Sequence, residues 1–252
     1  MAEERSTSFG AEAERYDRAR PGYPPELVDR LLAPGVQRVL DVACGTGKAG
    51  RLFAERGCEV LGVEVDERMA GIAREHGLDV EVVPFEEWEP RGRVFDLAIC
   101  GQAWHWLEPA AALPKLATVL APGARFAAFW NIGGPQGEIA AAFEEPYARY
   151  APDFERENSR LFGWGDNSVA ATYLEPIATA VEFDRSEVWT FTWQRTYTGD
   201  EWLELLRTQS NHILLADDTR EALLGELARI IDAHGGSFDV PYTTAVVTAV
   251  RR

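Results

Sequence analysis

The sequence predicts an α/β protein with a doubly wound, mostly parallel sheet. Two observations carry this prediction. Short apolar runs alternate with segments of helical period from residue 36 to residue 130, and two more strand-like runs follow near residues 181 and 242. Parallel strands are buried on both faces, so each appears in the sequence as a nearly continuous apolar run. We therefore expect a seven-stranded sheet with ligand sites at the carboxyl ends of its strands.

Five of the expected strands form a core of residues 36–131. They are "VQRVLDVA", "EVLGVEV", "DVEVVPF", "FDLAICG" and "ARFAAFW". Residues 1–35 are expected to form a helical segment in front of this core, since Pro24 and Pro25 suit the first turn of a helix.

Residues 132–180 break the alternation and are expected to form a mainly helical lid over the strand ends. This insert and the strand after it are rich in aromatic residues, which could line a substrate pocket or form the insert's own small core. The aromatic set is Phe143, Tyr147, Tyr150, Phe154, Phe162, Trp164, Trp189 and Trp193.

Residues 181–252 are expected to complete the sheet with two strands and two helices. Each helix has a candidate capping box at its start, Thr198 with Glu201 in the first and Asp218 with Glu221 in the second. The last strand is "YTTAVVTAV", which is rich in β-branched residues.

Composition excludes several classes of function. The formal net charge is −16, which would repel a phosphate backbone and disfavours nucleic-acid binding. We see no signal peptide and no membrane-spanning apolar run, so a cytoplasmic location away from membranes is expected. The three cysteines and four histidines lie at no metal-ligand spacing, and no metal site is predicted. No oligomeric state is predicted.

The stretch "VLDVACGTGKAG", residues 39–50, contains a G-x-G-x-x-G pattern at Gly45, Gly47 and Gly50. The pattern is typical of dinucleotide sites, where a pyrophosphate lies against backbone N–H groups. Asp41, in the strand that leads into the loop, would repel that pyrophosphate. A phosphate-binding P-loop is excluded as well, because Val42 stands in place of its first glycine.

S-adenosylmethionine satisfies both features of this stretch. It has no phosphate, and its flexible tail carries an ammonium group that Asp41 can pair with. The glycines let the backbone approach the tail closely, and Gly50 is interpreted as space for helix packing. Glu64, at the end of the next strand, can accept hydrogen bonds from both ribose hydroxyls, as it could in a dinucleotide site.

Together these motifs resemble those of the class I S-adenosylmethionine-dependent methyltransferases. The family's first motif is an acid followed by small and glycine residues, which Asp41, Ala43, Gly45 and Gly47 match, and its ribose-binding acid matches Glu64. The resemblance implies a Rossmann-like methyltransferase fold, S-adenosylmethionine as the cofactor and S-adenosylhomocysteine as the product.

The resemblance also extends to the third and fourth strands. The turn "VVPFEEW" is similar to the family's adenine-contacting turn, which implies that the backbone of Phe85 faces the adenine ring. Met69 could lie on that ring or pack in the core. Pro84 stands where many relatives carry an acid, so the adenine amino group is expected to bind either to Glu86 or to the backbone or water. The exit "GQAWHW" resembles the motif beside the methyl group and implies site roles for Gln102, Ala103 and His105.

The segment "FGAEAERYDRARPGYP" resembles an N-terminal region that closes over the cofactor in a subgroup of the family. The resemblance implies that Tyr16 and Arg20 contact the cofactor. It covers most of the chain except the insert at residues 132–180.

The expected function is methyl transfer to a small organic acceptor by direct displacement. Positioning supplies most of the rate in such a reaction, and a base is needed only where the acceptor must lose a proton. His105 is the candidate base; otherwise it packs between Trp104 and Trp106. Two alternatives are an NAD(P)-dependent oxidoreductase and a protein of the same fold that binds S-adenosylmethionine without transferring the methyl group.

Overall fold

A single sheet of seven strands organises the protein. The structure, a computed structural model, describes residues 13–152, 154 and 168–252. The strand order is β3-β2-β1-β4-β5-β7-β6. The strands are β1 (Arg38–Val42), β2 (Glu59–Glu64), β3 (Asp79–Val82), β4 (Phe95–Gly101), β5 (Leu120–Gly133), β6 (Phe183–Thr198) and β7 (Ser237–Arg251).

Ten α-helices are present among the described residues. They are α1 (Ala13–Ala19), α2 (Pro25–Leu31), α3 (Gly50–Ala54), α4 (Glu67–Glu75), α5 (Pro109–Val119), α6 (Gly137–Tyr150), α7 (Ser168–Thr179), α8 (Gly199–Arg207), α9 (Ser210–Ile213) and α10 (Asp217–Ala233). A short 3₁₀ turn, Trp104–Trp106, follows β4.

The predicted seven-stranded, mostly parallel sheet is confirmed. Strands β1 to β5 pair in parallel, as their apolar runs indicate. Strand β7 is antiparallel to both of its neighbours, β5 and β6. It lies between them, and this arrangement brings the carboxyl-terminal part of the chain beside the ends of β4 and β5.

Helices cover both faces of the sheet, which makes the fold doubly wound. Successive residues of a strand point to opposite faces. In β4, Ala98 and Cys100 belong to a buried cluster that includes α5, whereas Leu97 and Ile99 belong to one that includes α2. A third buried cluster joins α6, α8 and α10.

The two predicted capping boxes have different outcomes. Thr198 and Glu201 form the expected reciprocal pair at the start of α8. The second prediction is wrong, because α10 begins at Asp217 after Ala216, which leaves Asp217 and Asp218 inside its first turn. Carboxylates there interact favourably with the positive end of the helix instead of capping it.

The two described helices of the insert, α6 and α7, pack against the carboxyl-terminal part of the chain. Helix α6 packs against α10, and α7 packs against β6 and β7 with Ile177 fully buried. The lid that residues 132–180 are expected to form over the strand ends stays a prediction. None of the helices in the described part of the chain has the length and apolar character needed to span a bilayer.

Candidate functional site

A cavity of about 550 Å³ lies at the carboxyl ends of the strands. It extends from the end of β3 across β2, β1 and β4 to the ends of β5 and β7. Chain order reverses between β1 and β4, and ligands of doubly wound sheets bind at such switch points. The cavity has two halves, a β1–β3 half at the ends of β1, β2 and β3 and a β4–β7 half at the ends of β4, β5 and β7.

The loop after β1 is shaped by residues with positive φ. Ala43, Gly45 and Gly47 have φ values of 53°, 56° and 79°. A Cβ atom at Gly47 would lie 2.6 Å from Leu78 Cδ1, so only glycine fits there. Ala43 holds its left-handed conformation at a cost of roughly 1 kcal/mol. This geometry turns the backbone toward the cavity. Ala43, Cys44 and Gly45 all line the cavity.

Asp41 lies in the wall of the cavity and is 1% exposed. Its Oδ2 accepts a hydrogen bond from the Gly50 amide at 2.9 Å, while its Oδ1 is buried without a partner. Burial raises the pKa of this carboxyl group to about 8. The site therefore presents a desolvated carboxyl oxygen with no protein donor to satisfy it.

Gly50 has a more specific role than the helix-packing space that the sequence indicates. A Cβ atom at this position would lie 2.7 Å from Asp41 Oδ2 and 3.1 Å from Val60 Cγ1. Because Gly50 has no side chain, the Asp41 carboxyl group can come close enough to accept a hydrogen bond from the Gly50 amide.

Glu64, at the end of β2, ties that strand to the glycine loop. Its Oε2 accepts from the Gly45 amide at 2.8 Å. Its Oε1 accepts from the amides of Val65 and Asp66 at 2.9 and 3.0 Å. Burial raises the pKa of Glu64, and these backbone donors oppose that effect. A carboxylate oxygen can accept two hydrogen bonds, so Oε2 keeps capacity for one more whereas Oε1 already accepts two.

Met69, Phe85 and Glu86 line the end of the cavity beside β2 and β3. Met69 is 6% and Phe85 3% exposed, whereas Glu86 is exposed. The arrangement provides a flat apolar surface with one acid at its solvent edge.

Gln102, Ala103 and His105 line the cavity where the chain leaves β4. Gln102 has a φ of 61°, and its backbone amide donates to the Phe129 carbonyl at 2.8 Å. His105 Nδ1 accepts a hydrogen bond from Trp130 Nε1 at 3.2 Å. Burial lowers the pKa of His105 to about 4.

Tyr16 and Arg20 reach the cavity from the end of α1. Arg20 donates to Thr208 Oγ1 at 2.9 Å and to the Thr208 carbonyl at 2.7 Å, and its guanidinium lies 5.1 Å from the Tyr16 ring centroid. Asp17, on the same helix, accepts a hydrogen bond from Thr46 in the glycine loop. Helix α1 thus bridges the glycine loop and the carboxyl-terminal helices.

Twelve of the thirteen predicted site residues line one cavity, together with others that the sequence did not indicate. Gly47 does not line the cavity and belongs to the loop that forms part of its wall. The other lining residues are chiefly Pro21, Tyr23, Lys48, Asn131, Trp202, Leu205, Gln209, Ser210, Asn211, Leu214 and Tyr242. Tyr23 and Lys48 lie within motifs quoted from the sequence and could have been found there. The carboxyl-terminal members carry no local motif, since only tertiary packing brings them to the strand ends.

None of the described aromatic residues of the insert lines the cavity. Phe143, Tyr147, Tyr150 and Phe154 pack with the carboxyl-terminal helices, as the insert's own core would. Trp189 packs on the other face of the sheet and Trp193 stacks on Tyr242, while Phe162 and Trp164 lie outside the described residues. From residues 132–180, only Ile132 and Gly133 line the described cavity.

Comparison with known proteins agrees with this geometry. A family model described as a methyltransferase domain matches residues 39–123. An uncharacterised methyltransferase of Mycobacterium bovis is 29% identical over 258 aligned positions, which cover 97% of this chain and 96% of the relative. A trans-aconitate 2-methyltransferase of Variovorax paradoxus is 27% identical over 231 positions, 86% of each chain.

Among solved structures, a candidate type II methyltransferase from Anaeromyxobacter dehalogenans superposes with a TM-score of 0.71 at 25% identity, over 92% of this chain and 97% of the other. The segment that matches the family model contains strands whose ends line the cavity. The alignments with the relatives extend over the helices around it. The chain contains a methyltransferase domain at residues 39–123, and its relatives and structural neighbours support a place in the class I S-adenosylmethionine-dependent methyltransferase family.

Proposed function

We propose that the protein transfers the methyl group of S-adenosylmethionine to a small organic acceptor by in-line displacement and that it releases S-adenosylhomocysteine. The observation that carries the proposal is Asp41 Oδ1, a buried oxygen without a partner in the cavity wall at the β1–β4 switch point. A cationic ammonium group stabilises the ionised form of this buried carboxyl group and satisfies the oxygen, whereas the pyrophosphate of NAD(P) would destabilise that form. The match to a methyltransferase domain supports the same choice over an oxidoreductase.

The residues of the β1–β3 half fit the remaining parts of the cofactor. The amides around Gly45 and the cations Arg20 and Lys48 are suited to the carboxylate of the methionine tail. Burial lowers the pKa of Lys48 to about 8, and the nearby Asp17 opposes that effect. Lys48 thus keeps most of its positive charge at neutral pH.

The nucleoside fits the apolar end of the cavity. Glu64 can accept a hydrogen bond from a ribose hydroxyl at Oε2, which has one backbone donor and retains acceptor capacity. Met69 and Phe85 supply an apolar surface for the adenine, and Glu86 is placed at its solvent edge.

Catalysis in this proposal depends on alignment. The cofactor supplies an electrophilic methyl group next to a sulfonium leaving group. Gln102 and Ala103 follow β4, at the boundary between the two halves of the cavity. There they orient the acceptor so that its reacting atom lies in line with the methyl group and the sulfur. Tyr16 and Arg20 cover the cavity and exclude water from it.

The acceptor is expected to be small. The cavity of about 550 Å³ must hold the cofactor as well, and the net charge of −16 disfavours a nucleic-acid substrate. Trans-aconitate is the first acceptor to test, because the relative from Variovorax paradoxus is a trans-aconitate 2-methyltransferase.

Calorimetry with S-adenosylmethionine and with NADH tests the proposed cofactor. We expect heat of binding with the first and none with the second, and the opposite pattern would contradict the proposal. Asp41→Ala and Glu64→Ala should each weaken binding about ten-fold or more, because each removes a buried polar partner. Asp29→Ala is the control, since Asp29 is exposed and forms its ion pair with Arg56 away from the cavity.

A further inference from the structure

The hydrogen bond between Trp130 and His105 decides which nitrogen of the histidine carries the proton. An indole N–H can only donate, so His105 Nδ1 must be the acceptor in the 3.2 Å contact. A neutral imidazole that accepts at Nδ1 carries its hydrogen on Nε2. Nε2 is therefore the ring nitrogen that can bind a molecule in the cavity, and it can do so only as a hydrogen-bond donor.

Trp130 is held firmly enough to fix this tautomer. It is 1% exposed, it pairs with Ala245 across the β5–β7 ladder, and its ring stacks on Tyr173 with centroids 5.0 Å apart. The indole cannot turn away without breaking this packing. Burial also lowers the pKa of His105 to about 4, so the ring is neutral at physiological pH.

His105 in this state has no free lone pair with which to take a proton from the acceptor. Nδ1 is occupied by Trp130, and Nε2 already carries hydrogen. The carboxyl groups that line the cavity lie in its other half, where Asp41 and Glu64 are bonded to backbone amides and Glu86 faces solvent. The described part of the β4–β7 half contains no carboxyl group among its lining residues.

The side chains of the β4–β7 half favour an acceptor that carries negative charge. Its polar lining residues are neutral and include Gln209, Ser210 and Asn211, and Arg20 lies at its edge. An ammonium group would find no carboxylate there, and an alcohol or phenol would find no base. A carboxylate needs neither, because it is already ionised at neutral pH and accepts hydrogen bonds.

We propose, on the basis of the proposed methyl transfer, that the acceptor is a small carboxylic acid and that His105, oriented by Trp130, donates a hydrogen bond from Nε2 to its carboxylate. One carboxylate oxygen forms a bond to the methyl carbon. The carbon–sulfur bond breaks, and its electron pair stays on sulfur as the neutral thioether of S-adenosylhomocysteine. The products are that thioether and a neutral methyl ester, and no proton changes place.

The charges of this step suit a buried site. A carboxylate and a sulfonium approach each other and both are neutralised, so the reaction removes an ion pair from an environment of low dielectric. In this assignment His105 is a positioning group for the acceptor, and Trp130 acts through it.

Long-range ¹H–¹⁵N spectra of the histidine rings test the tautomer directly. The resonances of His105 are identified by their loss in His105→Gln. We expect a neutral Nε2–H ring that does not titrate between about pH 6 and pH 8. Trp130→Phe should give a mixture of tautomers. Trp104→Phe is the matched control, because Trp104 is fully buried and its Nε1 has no hydrogen-bond partner. An Nδ1–H ring or an imidazolium in the wild type would overturn the proposal.

Release of S-adenosylhomocysteine tests the acceptor class. Trans-aconitate and a panel of small mono- and dicarboxylic acids are compared with their amides and with amines and phenols of similar size. We expect turnover with acids alone. Turnover only with amines or phenols overturns the carboxylate assignment, and so does a lack of turnover with every acid by protein that binds S-adenosylhomocysteine. Protein that fails to bind S-adenosylhomocysteine contradicts the proposed function instead.

Two substitutions of His105 separate a donor from a base. His105→Leu removes the donor and should raise the KM for the acid about ten-fold or more. His105→Gln retains an N–H donor and should recover much of that loss, and both variants should bind S-adenosylhomocysteine as the wild type does. A kcat equally low in both, together with a histidine-like inflection in the wild-type pH profile, would show a base and overturn the proposal.

Discussion

The hydroxyl group of Thr46 donates a hydrogen bond to Asp17 Oδ1 over 2.9 Å, which joins the glycine loop to helix α1. Asp17 also contacts His76 Nε2 at 2.9 Å and Arg51 Nη1 at 3.4 Å, with Lys48 Nζ at 3.9 Å. Thr46 is 1% exposed, so its hydroxyl has no solvent to replace this acceptor. Through Asp17, the helix that carries Tyr16 and Arg20 is held against the cofactor-binding half of the cavity.

Asp17→Ala should weaken both folding and cofactor binding. It leaves the buried Thr46 hydroxyl without its acceptor, which costs about 1–3 kcal/mol of unfolding free energy. We expect the affinity for S-adenosylmethionine to fall roughly ten-fold. Once α1 is held less firmly, a smaller fraction of the molecules has Tyr16 and Arg20 in position to bind the cofactor. Denaturant unfolding and calorimetry measure the two effects. Glu14→Ala is the control on the same helix, since Glu14 is exposed and pairs only weakly with Arg18.

The stabilising effect of Asp17 should disappear in acid. Burial alone would raise the pKa of Asp17, but hydrogen bonds from His76 and Thr46 and the charges of Lys48 and Arg51 outweigh it and lower the pKa. A carboxyl group with a lowered pKa stabilises the fold above its unfolded-state pKa and loses that effect as pH falls through the folded-state value. The stability difference between wild type and Asp17→Ala should therefore be largest near about pH 7 and shrink toward about pH 3. An unchanged difference would contradict the role of the ionised carboxylate.

Cofactor binding should release a proton from Asp41. Because burial raises the pKa of Asp41 to about 8, the group is mostly protonated at neutral pH before binding. An ammonium group beside Oδ1 favours the ionised form, so about one proton should leave at pH 7. Calorimetry in two buffers with different heats of ionisation measures the number of protons. Asp41→Asn, which cannot ionise, should release about one proton fewer, and equal release would argue against the contact.

Without cofactor, the same substitution should change how stability depends on pH. The folded-state pKa of Asp41 lies above the unfolded-state value, so unfolding releases a proton between about pH 4 and pH 8. Wild-type stability should fall relative to Asp41→Asn as pH rises through that window. Thermal unfolding at several pH values tests this, and parallel curves for the two proteins would contradict a raised pKa.

Gly50→Ala should destabilise the protein although alanine is the better helix former. The added Cβ would lie 2.7 Å from Asp41 Oδ2, so the carboxyl group must move, at a cost of about 1–3 kcal/mol. Cofactor affinity should fall as well. Gly71→Ala in α4 is the matched control, because nothing lies within 4 Å of its Cβ position. It should leave stability unchanged or raise it by up to about 1 kcal/mol, and equal effects of the two changes would contradict the close contact.

The features that can be predicted from the sequence are those that depend on local residue patterns. The parallel strands are buried on both faces, so their apolar runs identify them, and the glycine loop with Asp41 identifies the cofactor-binding half. The β4–β7 half depends on contacts between distant parts of the chain. His105 is quoted in a sequence motif, but its protonation is set by Trp130, 25 residues later. Gln209 reaches the cavity only because β7 lies beside β5 and carries the carboxyl-terminal helices there.

The insert supports the acceptor half through a buried relay that no local pattern indicates. The Asn211 side-chain oxygen accepts from the His212 amide and lies 2.9 Å from His212 Nδ1. Nδ1 therefore carries the ring hydrogen, and Nε2 accepts from the Tyr147 hydroxyl at 3.0 Å. His212 is 2% exposed, and burial lowers its pKa to about 3, so the relay stays neutral. Its last member, Asn211, lines the cavity.

Tyr147→Phe should therefore affect the acceptor more than the cofactor. It leaves His212 Nε2 buried without a donor, at a cost of about 1–3 kcal/mol of stability. Once Asn211 is less firmly held, we expect the KM for the acceptor to rise several-fold while calorimetry gives an unchanged affinity for S-adenosylhomocysteine. Tyr150→Phe, one turn further along α6, is the control, because the Tyr150 hydroxyl bonds to Glu226 away from the cavity. A loss of cofactor affinity equal to the change in KM would mean that Tyr147 maintains the fold as a whole and has no particular effect on the acceptor half.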